Sequence, residues 1–371
     1  MPKRVLWKVL RYFYPCVIVI LALEIILRVF FHAPMGYFNF LVPSRKGIYP
    51  PNAVIFNYWG KIPYTVYSNS QGLRGDELSQ TGKRRIVCIG DSNTDGLFVD
   101  NNETFPYYLQ LLYDDKYPGR FEVINAARGG GSIDKELVLL KAIALPLKPE
   151  LVVLTFCPND IHEIYQITLS EALNKNDTGF SNLRNKNRFI IWLVTKTALG
   201  ETMFRFYHVN FIVKKFYKGD MREFKYNCAP QSQSNIRQNL MIHEKAYKHS
   251  DGLILAEPFS VKTLEVIDNY IGALKEFNRI SRNNGVRFLF VYFPDYPQVF
   301  DPQASMKLRD MLGAACLKFE IAFFDLTPEL KAKSAHSRLY LTPLDFHLNP
   351  CGNKVFSQAL FEYIDSTRLI D

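Results

Sequence analysis

The chain has 371 residues, 48% of them hydrophobic and 22% charged, which excludes a disordered protein and allows a large buried core. Its net charge of +9 is concentrated between residues 181 and 250, where there are thirteen Lys or Arg and four Asp or Glu. Because the rest of the chain is near neutral and has no nucleic-acid-binding motif, we expect no nucleic-acid partner. The six cysteines have neither CxxC nor metal-ligand spacing. We expect mostly buried thiols and no metal site, and Cys157 could pair with Cys351.

An apolar stretch at residues 12–31 would span about 30 Å as a helix, the thickness of a bilayer core. Its charges Glu24 and Arg28 are spaced to pair on one helical face. No small-residue cleavage site follows, so we predict a retained transmembrane helix rather than a cleaved signal peptide or a buried core helix. Four basic residues before it predict a cytoplasmic N-terminus, with the body in the periplasm or another extracytoplasmic space. They are Lys3, Arg4, Lys8 and Arg11.

Three segments follow from these patterns. We predict an anchor with a cytoplasmic stub at 1–34, a collar of loops and short strands at 35–83, and one main domain at 84–371. Within the collar, the sequence Gly72-Leu73-Arg74 is interpreted as a surface turn.

Strand-like and helix-like segments alternate from residue 85 onward, which predicts a parallel sheet with helical crossovers. The fold class is therefore α/β, a three-layer α/β/α sandwich with five central strands. The predicted strands are 85–89, 121–124, 151–156, 286–293 and 321–326. The predicted helices are 105–113, 135–144, 261–281, 305–319 and 356–364.

A long insertion at about 161–256 interrupts this alternation and exceeds an ordinary connection. Its stretches 189–194 and 204–217 mix aromatic and aliphatic residues with Lys and Arg. The pattern favours a helical cap packed on the domain with solvated lysines. The alternative is contact with a membrane surface or an anionic glycan.

Candidate catalytic groups follow the strands. Ser92, in the sequence GDSN at 90–93, comes after the first strand and could be a nucleophile or merely a turn or helix-capping residue. His347 could act as its base and Asp345 could orient the imidazole. A glycine-rich loop at 125–132 and Asn159 follow the next two strands and could donate to an oxyanion.

Other enzyme classes do not fit the sequence. The chain lacks the GxSxG nucleophile elbow around Ser92, the HExxH pattern of zinc proteases and the GxxxxGK[ST] phosphate loop. We expect no cofactor and no metal.

From about residue 85 to 364, apart from the insertion, the chain resembles the SGNH or GDSL-like hydrolase superfamily, and more weakly its membrane-anchored branch. The resemblance implies a flavodoxin-like fold, Ser92, Asp345 and His347 as catalytic residues, and Ser92, Gly130 and Asn159 as the oxyanion hole. The sequence departs from the family pattern in three places. Asn93 stands where leucine is usual, Cys157 replaces the usual glycine, and the Asp345-to-His347 spacing is two rather than the commoner three.

The expected activity is a membrane-anchored serine esterase that removes O-acyl groups, especially O-acetyl, from a carbohydrate or cell-envelope polymer. One alternative is an O-acyltransferase that passes the acyl group to a glycan hydroxyl. Another is a non-enzymatic, anchored glycan-binding protein. The expected partners are the acylated polymer and, through residues 12–31, the lipid bilayer.

Overall fold

A computed structural model describes residues 3–31, 49–59, 62–80, 82–130, 132–164, 188–207, 225–247, 252–255, 257–343 and 345–370. The chain divides into two compact units. The described residues within Met1–Pro43, Ile55–Pro63 and Gly179–Lys218 form one, and those within Ser44–Val54, Tyr64–Thr178 and Gly219–Asp371 form the other. Part of the basic stretch 204–217, with Lys214 and Lys215, lies outside the described residues, as does the neighbouring Lys218.

In chain order, the α-helices and strands of the described residues are α1 (Lys3–Phe31), β1 (Val54–Trp59), β2 (Ile62–Tyr67), β3 (Arg84–Gly90), α2 (Ser92–Asp95), α3 (Phe105–Lys116), β4 (Phe121–Asn125), α4 (Ile133–Leu139), β5 (Leu151–Phe156), α5 (Asn159–Ile164), α6 (Arg188–Lys196), α7 (Ala198–Tyr207), α8 (Gln233–Tyr247), α9 (Gly252–Leu255), α10 (Val261–Asn283), β6 (Arg287–Tyr292), α11 (Tyr296–Phe300), α12 (Lys307–Lys318), β7 (Ala322–Asp325), α13 (Thr327–Ser334) and α14 (Pro350–Ser366).

A five-stranded parallel sheet forms the centre of the larger unit, with strand order β4-β3-β5-β6-β7. The predicted fold class is confirmed, and each predicted strand is present within two residues of its expected ends. The order of strands reverses at β3, because β4 lies on one side of it and β5 on the other. In open parallel sheets, a crevice opens at the carboxyl ends of the strands at such a reversal. Ser92 lies two residues beyond the end of β3, at the start of α2.

Two apolar clusters cover the two faces of the sheet. Alternate side chains of β3 point to opposite faces, with Val87 and Ile89 in one cluster and Ile86 and Cys88 in the other. Helices α4, α10 and α12 pack on the first face, and α3, α13 and α14 on the second. The buried face of α10 shows why it forms there, since apolar residues recur at helical spacing and Ser260 caps its first turn.

Helix α1 is long and apolar enough in the stretch Arg11–Phe30 to cross a membrane, judged by length and composition. Its side chains from residue 11 to 30 are exposed or partly exposed. Glu24 and Arg28 form the expected i,i+4 ion pair, with 2.6 Å between Oε1 and Nη2.

The cysteine pairing differs from the one considered from sequence. Cys351 pairs with Cys228, whose Cα lies 6.1 Å away, and Cys157 is a buried free thiol. The suggested Cys157–Cys351 bond was therefore wrong. Local spacing could not reveal the true pair, because the bond joins residues 123 positions apart.

Candidate active site

The turn after β3 is built so that the chain can reverse within two residues. Gly90 packs against Thr94 and the carbonyl of Thr155, and a Cβ at this position would collide with Thr94 Oγ1. Asp91 then caps α2, since its Oδ1 accepts the N–H of Asn93 at 2.9 Å. Ser92 is the first residue of this short helix, so its N–H has no carbonyl within the helix to bond.

Ser92, His347 and Asp345 lie together in the structure. Ser92 Oγ is 2.7 Å from His347 Nε2, and His347 Nδ1 is hydrogen-bonded to Asp345 Oδ1. The same Asp345 oxygen accepts the backbone N–H of His347 at 2.8 Å, which fixes the loop as well as the ring. With Nδ1–H donated to the carboxylate, Nε2 is the acceptor facing the serine. The Ser92 hydroxyl has a second, more distant acceptor in Asp91 Oδ2, which lies 3.2 Å from Ser92 Oγ.

The environment of His347 raises its pKa above the ordinary value of 6.5. Burial by itself would lower the pKa, because it disfavours the imidazolium. The charge and hydrogen bond of Asp345 act in the opposite direction and outweigh it, with further contributions from Asp91 and Asp95. The arrangement therefore favours the protonated imidazole that would form when Ser92 loses its proton.

A cavity of about 170 Å³ opens beside Ser92 and His347. Asn159, which begins α5 just beyond β5, lines this cavity; its role as an oxyanion donor stays a prediction. The rest of the wall combines apolar and aromatic groups with a few polar ones. They are Asn93, Cys157, Pro158, His243, Phe293, Pro294, Asp295, Tyr296 and Phe346.

The glycine-rich loop packs directly on the turn that carries Ser92. A Cβ on Gly129 would lie 3.5 Å from the Cβ of Ser92, and the Gly129 N–H donates to Asp95 Oδ2 at 3.0 Å. Gly130 has a φ of +74°, a conformation that glycine adopts without strain, and its carbonyl accepts from Lys135 Nζ at 2.9 Å. The Gly129 N–H is thus occupied by Asp95, and Gly130 stays the expected oxyanion donor to be tested.

Two residues of the collar, Arg74 and Tyr49, contact the turn that carries Ser92. The interpretation of Arg74 as part of a surface turn was therefore wrong. The Arg74 side chain is buried and donates to the backbone carbonyls of Asp95, Gly96 and Val99 at 2.5–2.8 Å. Tyr49 donates its hydroxyl to the Asp95 carboxylate at 2.8–2.9 Å. The residues around Arg74 are mostly polar, so in sequence they look like a surface turn. In the structure, the guanidinium of Arg74 offsets the partial negative charge of the carbonyls at the end of α2.

Two of the departures from the family pattern contact each other. Asn93 Nδ2 donates to Cys157 Sγ, and that thiol donates to Asp91 Oδ1, both at 3.2 Å. Burial and the neighbouring Asp91 and Asp160 carboxylates raise the pKa of Cys157 well above its ordinary value. The thiol therefore stays protonated, and Cys157 links the β3 and β5 loops as a neutral hydrogen-bonding group.

Sequence reasoning missed a second histidine–aspartate pair at the cavity. His243 on α8 is buried, and its Nε2 lies 2.9 Å from Asp295 Oδ1. Its ring also packs edge-on against the ring of Phe346, the residue before His347, with 4.7 Å between the ring centroids. Because α8 belongs to the insertion, only the tertiary structure brings His243 here. Among the described residues, no three His, Cys, Asp or Glu side chains form a potential metal site.

Comparison with solved structures finds similar chains at low identity. TesA is 13% identical with a TM-score of 0.43, and the match covers 77% of this chain and 100% of TesA. The acetyl xylan esterase AlAXEase is 12% identical with a TM-score of 0.41, covering 76% and 99%. A catalytic mutant of Axe2, an acetylxylan esterase from Geobacillus stearothermophilus, is 12% identical with a TM-score of 0.42, covering 77% and 96%. A comparison with curated protein sequences found no match.

The family model described as GDSL-like lipase/acylhydrolase matches residues 86–360 of the 371. The matched region includes the β3 turn, the glycine-rich loop, Asn159 and the loop of Asp345 and His347. The chain therefore belongs to the GDSL-like lipase/acylhydrolase family, within the SGNH superfamily, and is a serine hydrolase acting on ester bonds.

Proposed function

We propose that the chain is a membrane-anchored esterase that removes short O-acyl groups, above all O-acetyl, from a carbohydrate or cell-envelope polymer through an acyl-enzyme on Ser92. The observation that carries the proposal is the contact of 2.7 Å between Ser92 Oγ and His347 Nε2, with Asp345 bonded to the other ring nitrogen. This is the order of groups that nucleophilic catalysis by serine requires.

In the first half of the reaction, Ser92 Oγ attacks the acyl carbon while its proton passes to His347 Nε2. Asp345 stabilises the resulting imidazolium. Ser92 N–H, Gly130 N–H and the Asn159 amide stabilise the tetrahedral oxyanion. Collapse breaks the bond to the alcohol oxygen, which takes the proton from Nε2, and the acyl group remains on Ser92.

In the second half, water takes the place of the departed alcohol. His347 removes one of its protons as the oxygen attacks the acyl-serine carbon, and the proton then returns to Ser92 Oγ. The sum is ester plus water giving carboxylic acid plus alcohol. If a sugar hydroxyl attacks instead of water, the same intermediate transfers its acyl group.

The size of the cavity supports a short acyl group. A space of about 170 Å³ is close to the roughly 150 Å³ that accommodates a benzene-sized molecule and is well below the about 300–1,000 Å³ of drug-sized sites. Asn93, Asn159 and the His243–Asp295 pair give the wall polar groups suited to the hydroxyls of a carbohydrate.

The proposed location rests on two features. Helix α1 is long enough to anchor the chain, and the basic residues at its start favour a cytoplasmic N-terminus. The Cys228–Cys351 disulfide supports an oxidising space for the catalytic unit, because structural disulfides persist outside the reducing cytosol.

The first test compares Ser92→Ala with Ser334→Ala, a partly exposed serine at the end of α13, using p-nitrophenyl acetate and p-nitrophenyl octanoate. We expect Ser334→Ala and the parent chain to favour acetate, and Ser92→Ala to lose turnover of both esters while unfolding at the same denaturant concentration. Retained turnover in folded Ser92→Ala would refute the nucleophile. Equal rates on both esters would refute the short acyl group.

The second test identifies the natural substrate. Native envelope polysaccharide is incubated with the parent chain and with Ser92→Ala, and the products are weighed. Released acetate that depends on Ser92 supports hydrolysis, whereas a mass gain on an added acceptor glycan identifies transfer. If no envelope fraction loses its ester groups or releases acetate, the result would count against an envelope substrate.

A further inference from the structure

We propose that α6 and α7 form a helical hairpin inserted in the bilayer beside α1, so that three helices rather than one hold the protein in the membrane. The inference rests on the proposed anchoring by α1 and concerns the interaction surface of the insertion. The partner is the hydrocarbon of the leaflet on the catalytic side.

The charged pair of α1 binds the tip of this hairpin. Glu24 Oε1 accepts the N–H of Ala198 and Oε2 that of Leu199, each at 2.9 Å, so the carboxylate caps the start of α7. Arg28 Nη2 donates to the carbonyl of Lys196, the last residue of α6, at 2.9 Å. Both charges in the apolar stretch of α1 therefore have partners in the turn between two other helices.

The turn satisfies further backbone groups internally. Thr197 Oγ1 accepts from the Gly200 N–H at 3.0 Å and donates to the Leu193 carbonyl at 2.6 Å. Gly200 packs so closely on that carbonyl that a Cβ would collide with it. In water, solvent could bond these groups. In hydrocarbon they must find protein partners, as they do here, including two backbone N–H groups bonded to Glu24.

The outer surface of the hairpin is apolar and exposed. Phe189 is 70% exposed, Trp192 53%, Met203 64% and Phe206 63%. Such a set is unusual for a surface in water but matches the exposed apolar side chains of α1, with which the hairpin forms one compact unit. A lipid environment covers both surfaces together.

The lengths fit insertion into one leaflet. The nine residues of α6 and ten of α7 give arms of about 14–15 Å, half of a hydrocarbon core of roughly 30 Å. Glu24 lies six residues before Phe30, or about 9 Å below the end of the apolar stretch of α1. At that depth, the exposed Lys196 can extend its ammonium to the headgroups. Both ends of the hairpin continue in sequence into the catalytic unit, so it enters and leaves on that side.

The test uses the fluorescence of Trp192 in the full chain. The chain has three tryptophans, so Trp7→Phe with Trp59→Phe leaves Trp192 alone. Reconstituted in vesicles of phosphatidylcholine brominated on its acyl chains, Trp192 should lose most of its emission relative to unbrominated vesicles. The matched control adds Trp192→Phe and Leu317→Trp, which moves the tryptophan to an 84% exposed position on α12 that should stay unquenched.

Alkaline carbonate washing separates the possible failures. If the chain stays with the vesicles and Trp192 is as unquenched as the control, the hairpin inference is overturned and the anchor stands. If carbonate releases the chain, both the anchor and the hairpin are overturned.

Hydrogen exchange in lipid nanodiscs tests the same contact in the unaltered chain, without the tryptophan substitutions. The amides of Ala198 and Leu199 should exchange slowly. They should exchange at least tenfold faster in Glu24→Ala, which makes α1 more apolar and so leaves its insertion intact. Fast exchange at both amides in the unaltered chain would overturn the docking of the tip.

Discussion

Replacing Arg74 with alanine should destabilise the turn that carries Ser92. The guanidinium is buried and donates to three backbone carbonyls between Asp95 and Val99 and to Asn101 Oδ1 at 3.0 Å. These carbonyls lie at the end of α2 and in the four residues after it. Alanine would leave them without their donor and would remove the positive charge that lies 3.6 Å from Asp95 Oδ1.

The size of the effect follows from burial. A hydrogen bond to a charged group contributes about 1.5–3 kcal/mol to stability. The sum over the four bonds of Arg74 would overestimate the loss of stability, because contributions within one network are not additive. Removing one partner of a buried charged network typically costs about 3–5 kcal/mol, and we expect Arg74→Ala to fall in that range. Arg74→Lys should lose roughly half as much, since an ammonium cannot reproduce the planar fork.

Denaturant unfolding of the detergent-solubilised chain measures the loss, and Arg279→Ala is the matched control. Arg279 also forms an ion pair, with Glu276, but its side chain is 59% exposed, so its removal should leave the unfolding midpoint almost unchanged. In conditions where Arg74→Ala remains folded, kcat on p-nitrophenyl acetate should fall more than KM rises, because Ser92 is displaced. An unfolding midpoint for Arg74→Ala equal to that of Arg279→Ala would refute the reasoning.

Three further outcomes are expected. Because the base must be neutral and the pKa of His347 is raised, kcat/KM for p-nitrophenyl acetate should rise with pH through a midpoint above 6.5, and a midpoint below 6.5 would contradict this assignment. Cys351→Ser should lower the free energy of unfolding by about 2–5 kcal/mol, as expected for opening a loop of 123 residues, and reductant should destabilise the parent chain but not the variant; equal stability with and without reductant would count against the bond. Gly90→Ala should lose about 1–3 kcal/mol and at least tenfold in kcat, whereas Gly272→Ala, in an open position on α10, should gain about 0.5–1 kcal/mol; unchanged kcat in Gly90→Ala would show that the turn tolerates a side chain.

The strands and their order of appearance were readable from sequence because periodicity is a local property. Apolar runs of five or six residues alternate with helical spacing, and only a parallel sheet with crossovers accommodates that alternation. Polar residues directly after three of these strands, with a late Asp-x-His, pointed to one edge of the sheet. The structure brings Ser92, Asp345 and His347 together there, although 255 positions separate the serine from the histidine.

Contacts between distant segments were not readable in this way. The residues around Arg74 are mostly polar and predict a surface turn. Its side chain is buried because it bonds to carbonyls that lie more than twenty residues later in the sequence. His243 reaches the cavity only because α8 packs against the loop that carries Phe346. Glu24 and Arg28 were expected to pair with each other, and they do, but their second partners lie about 170 residues away.

By itself, the sequence determined the fold class, the apolar stretch and the residue types available at the sheet edge, since each depends on patterns within a few residues. Only the tertiary structure decided which of these groups touch, which cysteine pairs with Cys351, and which side chains close the cavity. The physical reason is that a hydrogen bond of 3 Å or a disulfide requires a distance that packing sets, and packing depends on the whole chain.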